Sequence, residues 1–325
     1  MPGYRFVQVD VFTDRAFTGN PLAVFPEAEG LTDEQMMHIA REMNLSETVF
    51  VLKPTDLKDR EQDERKKVPA PEILRRLRIF TPTRELPFAG HPVVGTWNVL
   101  AREGVVPKPN EGNWIRIYQE VGIGVLPVDV EFKGEEPVQV VMTQGTFQIV
   151  DEIDDPHEQS EIARALGRAR EDLDESLPIQ VISTGLPSLA VPIRSLADLR
   201  DCRVNASLLA DLYTRRGASG CHTFSRETIE LGSSRAHARF FAPADNISED
   251  PATGSACGAL GAYLVHHKAL SLQPADGRFK FVIEQGDFIN RPSRIHLDVL
   301  TKGDKIEEVK VGGASVVVAT GEVFV

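Results

Sequence analysis

The chain has 325 residues, 42% apolar and 26% charged, a globular composition with enough apolar side chain for a sizeable core in two domains or one large one. Lys and Arg number 36 against 48 Asp and Glu, and the net charge of −12 gives a surface that repels phosphate backbones, which argues against a nucleic-acid partner. No apolar run approaches the roughly 18 residues of a membrane span, and Met1-Pro2-Gly3-Tyr4-Arg5 leads straight into alternating Val7, Val9 and Val11, so no signal peptide is expected.

Residues 5–12 alternate apolar and polar and read as a strand. Thr18-Gly19-Asn20-Pro21 reads as a turn and residues 22–25 as a second strand, forming a hairpin. Thr32 caps a helix over 33–43, whose apolar Met36, Ile39, Ala40 and Met43 recur at helical spacing. A buried strand follows at 48–52. Residues 56–68 are nearly all charged and flanked by prolines, a solvated loop to which no chemistry is assigned. Residues 77–80 read as a strand. A Pro- and Gly-rich loop then leads to a helix of about a dozen residues from Pro92. Val-rich strands fill 114–150, and a charged helix covers 158–171. A strand at 179–182 and helix over 195–214 follow. The last 50 residues return to strands, with Gly312-Gly313 as a turn. Strands in runs with few helices favour an α+β fold over a doubly wound sheet.

Two segments read alike. Arg78-Ile79-Phe80-Thr81-Pro82 precedes Phe88-Ala89-Gly90-His91 and a helical stretch to Leu100. Arg239-Phe240-Phe241-Ala242-Pro243 precedes Ala252-Thr253-Gly254-Ser255 and a helical stretch to Leu264. Either chance gives five such matches in Pro- and Gly-rich loops, or they mark a duplication: two similar lobes, each aiming one helix N-terminus at a shared cleft. A helix N-terminus leaves backbone N–H groups unpaired and carries about half a positive charge. Glycine before it lets an anion approach the backbone closely. Two such ends would hold a carboxylate and stabilise negative charge developing beside it, as proton transfer next to a carboxylate requires.

Glu47 lies in Asn44-Leu45-Ser46-Glu47-Thr48-Val49-Phe50. Asn44 and Glu47 have capping-box spacing, but β-branched and aromatic residues follow, which suit a strand. A carboxylate entering a buried strand is either paired or functional, and desolvation would raise its pKa toward acid–base use. His91, between Gly90 and Pro92, stands near a helix N-cap, where the positive helix end would keep it neutral. Asp250 reads either as a turn aspartate or as a group holding a substrate ammonium or hydroxyl. Ser255 matches His91 in the repeat and reads equally well as an N-cap serine. No dinucleotide fingerprint, nucleophile elbow or Walker loop is present, and His266-His267 has no third ligand spaced for a metal.

These motifs resemble the PhzF-like family, the phenazine-biosynthesis isomerases. The likeness is carried by residues 17–25, Met43-Asn44-Leu45-Ser46-Glu47-Thr48-Val49-Phe50, Phe80-Thr81-Pro82 with Glu85-Leu86-Pro87-Phe88-Ala89-Gly90-His91-Pro92, and Glu249-Asp250-Pro251-Ala252-Thr253-Gly254-Ser255-Ala256. Glu284-Gln285-Gly286 and Gly312-Gly313 also fit. The resemblance implies a diaminopimelate-epimerase-like fold: two similar lobes, each a β-barrel-like sheet around a central helix, with the active site between them. The expected lobes are 1–127, joined by a C-terminal strand at about 315–325, and 128–314. The family's founding activity is cofactor-independent isomerisation of trans-2,3-dihydro-3-hydroxyanthranilate. Its acid–base glutamate falls on Glu47, its histidine on His91 and its substrate-binding aspartate on Asp250. Gly90, Gly254, Ser255 and Asn20 fall at substrate-binding positions.

Racemising and epimerising relatives use two thiols ahead of the same helices. Here those places resemble Ala89 and Thr253, and Cys202, Cys221 and Cys257 all lie later in the chain than residue 201. A two-thiol mechanism within one chain is therefore not expected. Three cysteines spread over so long a chain also suit a reducing, cytoplasmic setting with free thiols. The leading expectation is a cofactor- and metal-independent isomerase acting on a small carboxylate-bearing substrate. An epimerase or lyase on the same scaffold, and a binding protein without activity, are the alternatives. A homodimer is left open.

Overall fold

Val7, Val9 and Val11 point inward along one face of the first strand, β1 (Gly3–Val11), and are buried. This is a computed structural model, and it describes residues 1–55 and 73–325; the charged segment 56–68 lies outside the described residues. The chain divides into two compact units, Met1–Thr143 with Gly312–Val325, and Gln144–Val311. A boundary at 127/128 would fall inside β7 (Gly124–Lys133). That strand is paired along its length with β6 (Trp114–Val121) and β8 (Glu136–Thr143), which holds all three in the first unit.

In the first unit β1 pairs antiparallel with β2 (Asn20–Phe25) on one side and with β18 (Ser315–Phe324) on the other. β2 runs parallel to β3 (Glu47–Leu52), and β3 runs antiparallel to β4 (Ile73–Phe80). β4 carries the short β5 (Glu85–Leu86) and runs parallel to β6. Helix α1 (Asp33–Met43) joins β2 to β3. Thr32 and Gln35 close a reciprocal capping box at its start, and Asn44 ends it in the left-handed region. Helix α2 (Gly90–Arg102) is buried at every position from Gly90 to Ala101. A helix covered all round must be wrapped by its sheet, and β1, β2, β3, β7, β8 and β18 all pack against it.

The second unit repeats this plan. β9 (Gln148–Glu152), β10 (Gln180–Ser183) and β11 (Ser188–Pro192) pair antiparallel in succession. β11 runs parallel to β12 (Cys221–Ser225), and β12 antiparallel to β13 (Ser234–Ala242). β13 carries the short β14 (Ile247–Asp250) and runs parallel to β15 (Arg278–Gln285), which pairs antiparallel with β16 (Ser293–Lys302). Each pairing from β18 through β7 thus has a counterpart of the same sense from β9 through β16. A 13-residue helix follows the short strand in both units; in the second it spans Gly254–His266. The duplication read from Arg-x-Phe-x-Pro is a property of the whole topology.

Four details differ from the sequence reading. Helix α2 begins at Gly90, two residues before Pro92. The charged helix α3 (Pro156–Ala165) stops where Gly167 takes a positive φ, and only a 3-10 turn at Arg170–Asp172 follows. Residues 195–214 form two helices, α4 (Leu196–Arg200) and α5 (Ala206–Arg215), because Asn205 caps the second. Gly312-Gly313 is not a turn but the end of β17 (Lys305–Gly313), where a side chain at Gly312 would strike the Val140 carbonyl.

Candidate active site

The first unit brings together three of the expected residues. β2 and β3 run parallel with Leu22 opposite Glu47, so residues 20 and 46 lie at neighbouring strand entrances. Gly19 turns the chain into β2 at φ 67°, where any side chain would meet the Val11 carbonyl. Asn20 follows, fully buried. Its Oδ1 accepts from Ser46 Oγ at 3.3 Å, and its Nδ2 lies 3.4 Å from His91 Nδ1. His91 Nε2 lies 3.4 Å from Glu47 Oε2. Ser46, Asn20 and His91 therefore form a continuous polar chain, and the ring approaches Glu47 without a hydrogen bond between them.

His91 is the second residue of α2 and is buried. Ala89, at the N-cap, is extended and supplies no side-chain cap, and the first turn has no acidic residue. The end of this helix is therefore positive and uncapped by its own side chains. Glu47 begins β3 with 13% of its side chain exposed. Burial pushes its carboxyl up from 4.5 to about 7. Among the described residues Glu47 Oε2 has no hydrogen-bond partner. A buried carboxylate oxygen held this way is costly to the fold and available for a proton.

In the second unit Asp250 ends β14 and is buried. Thr253 Oγ1 donates to its Oδ2 at 2.5 Å. Gln285 Nε2 donates to the Asp250 carbonyl at 2.7 Å, while Gln285 Oε1 accepts from the Thr253 amide at 3.3 Å and from the Cys257 thiol at 3.4 Å. Gly254 is the first residue of helix α6 (Gly254–His266), and Ser255 the second; Thr253, not Ser255, is its N-cap residue. Gln144 Nε2 donates to the Gly254 carbonyl at 3.2 Å, and Thr184 Oγ1 donates to the Ser255 carbonyl at 3.5 Å. Cys202, Cys221 and Cys257 are free and buried, and burial raises the thiol pKa of all three. A buried thiol with a raised pKa is a poor nucleophile.

Registers align the two repeats. Thr48 pairs with Phe80 and Cys221 with Phe241, and Phe80 and Phe241 are equivalent in Arg-x-Phe-x-Pro. Glu47 therefore corresponds to Gly220, and His91 corresponds to Ser255. Only the first repeat carries the carboxylate and the ring. Among the described residues no group of three His, Cys, Asp or Glu side chains could hold a metal ion. Among the described residues no helix is long and apolar enough to cross a membrane. Ser46, Gln144 and Gln285 were not singled out in the sequence. Ser46 and Gln285 do lie inside the quoted motifs, beside Glu47 and before Gly286.

The phenazine biosynthesis-like protein family matches residues 9–321. The chain is 37% identical to an uncharacterized isomerase of Clostridium acetobutylicum, over 98% of this chain and 97% of that protein. It is 31% identical to the trans-2,3-dihydro-3-hydroxyanthranilate isomerase of Pseudomonas aeruginosa, over 99% of both. The crystal structure of a Bacillus anthracis phenazine biosynthesis protein of the PhzF family superposes with a TM-score of 0.84 at 28% identity, covering all of both chains.

Proposed function

The chain belongs to the phenazine biosynthesis-like, or PhzF, family, and from that premise we propose that it is an isomerase that moves a proton between two carbons of a small carboxylate-bearing substrate. The observation that carries this reading is Glu47: a buried carboxyl with a pKa of about 7 and one oxygen without a hydrogen-bond partner among the described residues. A group with a pKa near the working pH is present in both protonation states and can both take and return a proton.

The steps balance without a redox partner. Ionised Glu47 takes a proton from a substrate C–H, and the bonding pair shifts into the adjacent unsaturated system. The same carboxylic acid then gives the proton to the far carbon, and Glu47 is ionised again. His91 supports the carboxylate, and the N–H groups at Gly90 attract the substrate carboxylate to the helix end. Asp250, Gly254 and Ser255 of the second unit are assigned, in this proposal, to the substrate's polar groups. Neither a metal nor an organic cofactor enters the scheme, and a cytoplasmic setting is part of it. The dihydrohydroxyanthranilate of the Pseudomonas relative is the first substrate to try.

The test is exchange. Incubation with candidate carboxylates in deuterated water should place deuterium at the carbon that receives the proton, or show direct transfer in product analysis. Glu47→Gln should abolish it. Turnover that survives Glu47→Gln would overturn the assignment. An epimerase would instead give exchange at one carbon with inversion there.

A further inference from the structure

We propose that Asn20 and Ser46 are positioning residues that lock His91 in its Nε2–H tautomer, so that the ring's single N–H faces Glu47. The inference deepens the reading of Glu47 as the proton carrier and rests on it for its purpose, though not for its evidence. It takes Asn20 out of the substrate-binding role expected from the family pattern.

The polarity of the chain follows from the orientation of the Asn20 amide, whose Oδ1 end meets the Ser46 hydroxyl at 3.3 Å. A carbonyl oxygen only accepts, so Ser46 donates and the Nδ2 end is turned toward His91. Nδ2 only donates, and it lies 3.4 Å from His91 Nδ1. Nδ1 must then present its lone pair. A neutral imidazole carries one proton, and that proton is left on Nε2, 3.4 Å from Glu47 Oε2. The opposite tautomer would set N–H against N–H at Asn20 and a lone pair against the ionised carboxylate at Glu47. The positive end of α2 disfavours the doubly protonated ring.

The geometry gives the amide little freedom. Asn20 is fully buried at the start of β2, and the parallel register of β2 and β3 fixes Ser46 beside it. The second repeat supplies a comparison. Ala23 pairs with Thr48 as Leu189 pairs with Cys221, so Asn20 corresponds to Leu186, just as Glu47 corresponds to Gly220 and His91 to Ser255. Where the carboxylate is absent, the ring and the amide are absent too. A purely structural hydrogen bond would not need to vanish with the carboxylate.

The tautomer can be read without a substrate, so failure here is distinct from failure of the proposed reaction. Long-range proton–nitrogen correlation of the histidine rings is recorded on the uniformly ¹⁵N-labelled full chain at about pH 8, above the ordinary imidazole range. His91→Gln identifies the signals of His91. The expected wild-type pattern is a protonated-type Nε2 and an unprotonated-type Nδ1. In Ser46→Ala the amide loses its anchor, and the Nδ1–H form should rise severalfold to a comparable share. Ser46 is only half-buried, so this variant should fold, and the spectrum of the other histidines verifies that it has. A wild-type Nδ1–H ring, or a Ser46→Ala ring unchanged from wild type, would overturn the proposal.

Discussion

His91 Nε2 stands 3.4 Å from Glu47 Oε2, joining the second residue of a helix to the first residue of a strand. A histidine beside a carboxylate is often a plain ion pair. Here the ring sits at the positive end of α2, where a further positive charge is disfavoured, and the carboxyl is pushed up to about 7 by burial. A strong ion pair would have pulled that value down.

The first prediction is kinetic. Glu47→Gln keeps the side-chain volume and removes the group that takes up and returns the proton. Loss of a general acid–base group costs about 10²–10⁴-fold in turnover. Binding of a carboxylate ligand should change far less, since the N–H groups at Gly90 are untouched. Turnover and ligand affinity measured on the same variant separate the two. Affinity lost in step with turnover would place Glu47 in binding instead.

The second prediction is the pH dependence of stability in that variant. A carboxyl raised from 4.5 to about 7 keeps its proton longer in the folded chain than in the unfolded one. Below 4.5 both states are protonated, and folding carries no penalty. Between 4.5 and about 7 the folded state binds more protons, so wild-type stability falls as pH rises. Above 7 the full cost of the buried charge is present, up to about 3 kcal/mol for a shift of this size. Glu47→Gln should therefore match wild type near pH 4.5 and melt higher near pH 8. Equal melting temperatures at both pH values would contradict the raised value.

The backbone elements and the duplication were legible because local signals carry them. Alternating valines mark β1, Thr32 and Gln35 mark the start of α1, and Arg-x-Phe-x-Pro recurs before both buried helices. The break between α4 and α5 was missed because Asn205 reads as a cap only once the chain is known to turn there. The polar chain was half legible. Glu47 and His91 stood out as chemistry in apolar surroundings and Asn20 as a substrate-binding position, but the tie between Asn20 and Ser46 comes from the parallel register of β2 and β3. A register is set by tertiary pairing, and single residues do not announce it. Asp250 stood out too, yet its tie to Thr253 and the role of Gln285 in bracing the loop needed coordinates.

The third prediction concerns Glu284 in the second unit, which is fully buried. It accepts from the Ile229 and Glu230 amides at 2.7 and 2.8 Å and from His237 Nδ1 at 2.9 Å. Burial pushes its carboxyl up, but bonds from His237, those two amides and Ser234 outweigh it, and the net direction is down. Its contribution is then complete above the ordinary carboxylate range and fades as pH falls through the lowered value. Glu284→Ala would leave two amides and a ring N–H without this acceptor, at a cost of about 3–5 kcal/mol. Denaturant unfolding at neutral pH should show that loss. A change below about 1 kcal/mol would mean that water or a moved side chain replaces the carboxylate.

The last prediction sets two opposing terms against each other at Gly95. This glycine lies inside α2, where alanine would gain about 1 kcal/mol in helix propensity. A Cβ there would lie 2.7 Å from methyl groups of both Leu22 and Val11 and 3.2 Å from one of Val9. All three side chains are fully buried, so none can swing into solvent. Overpacking of this kind costs about 1–3 kcal/mol. The equivalent position of the second helix is Ala259, also fully buried, so nothing about the helix itself demands glycine. The demand comes from Leu22, Val11 and Val9, which bring the sheet against the helix directly beneath the turn that carries His91. Gly95→Ala should therefore lose stability despite its better helix propensity, by up to about 2 kcal/mol once the two terms are combined. If sterics are the cause, a second change that makes room, Leu22→Ala, should cost less in the Gly95→Ala background than alone. Strict additivity of the two changes would show that the methyl contacts are not what Gly95 relieves.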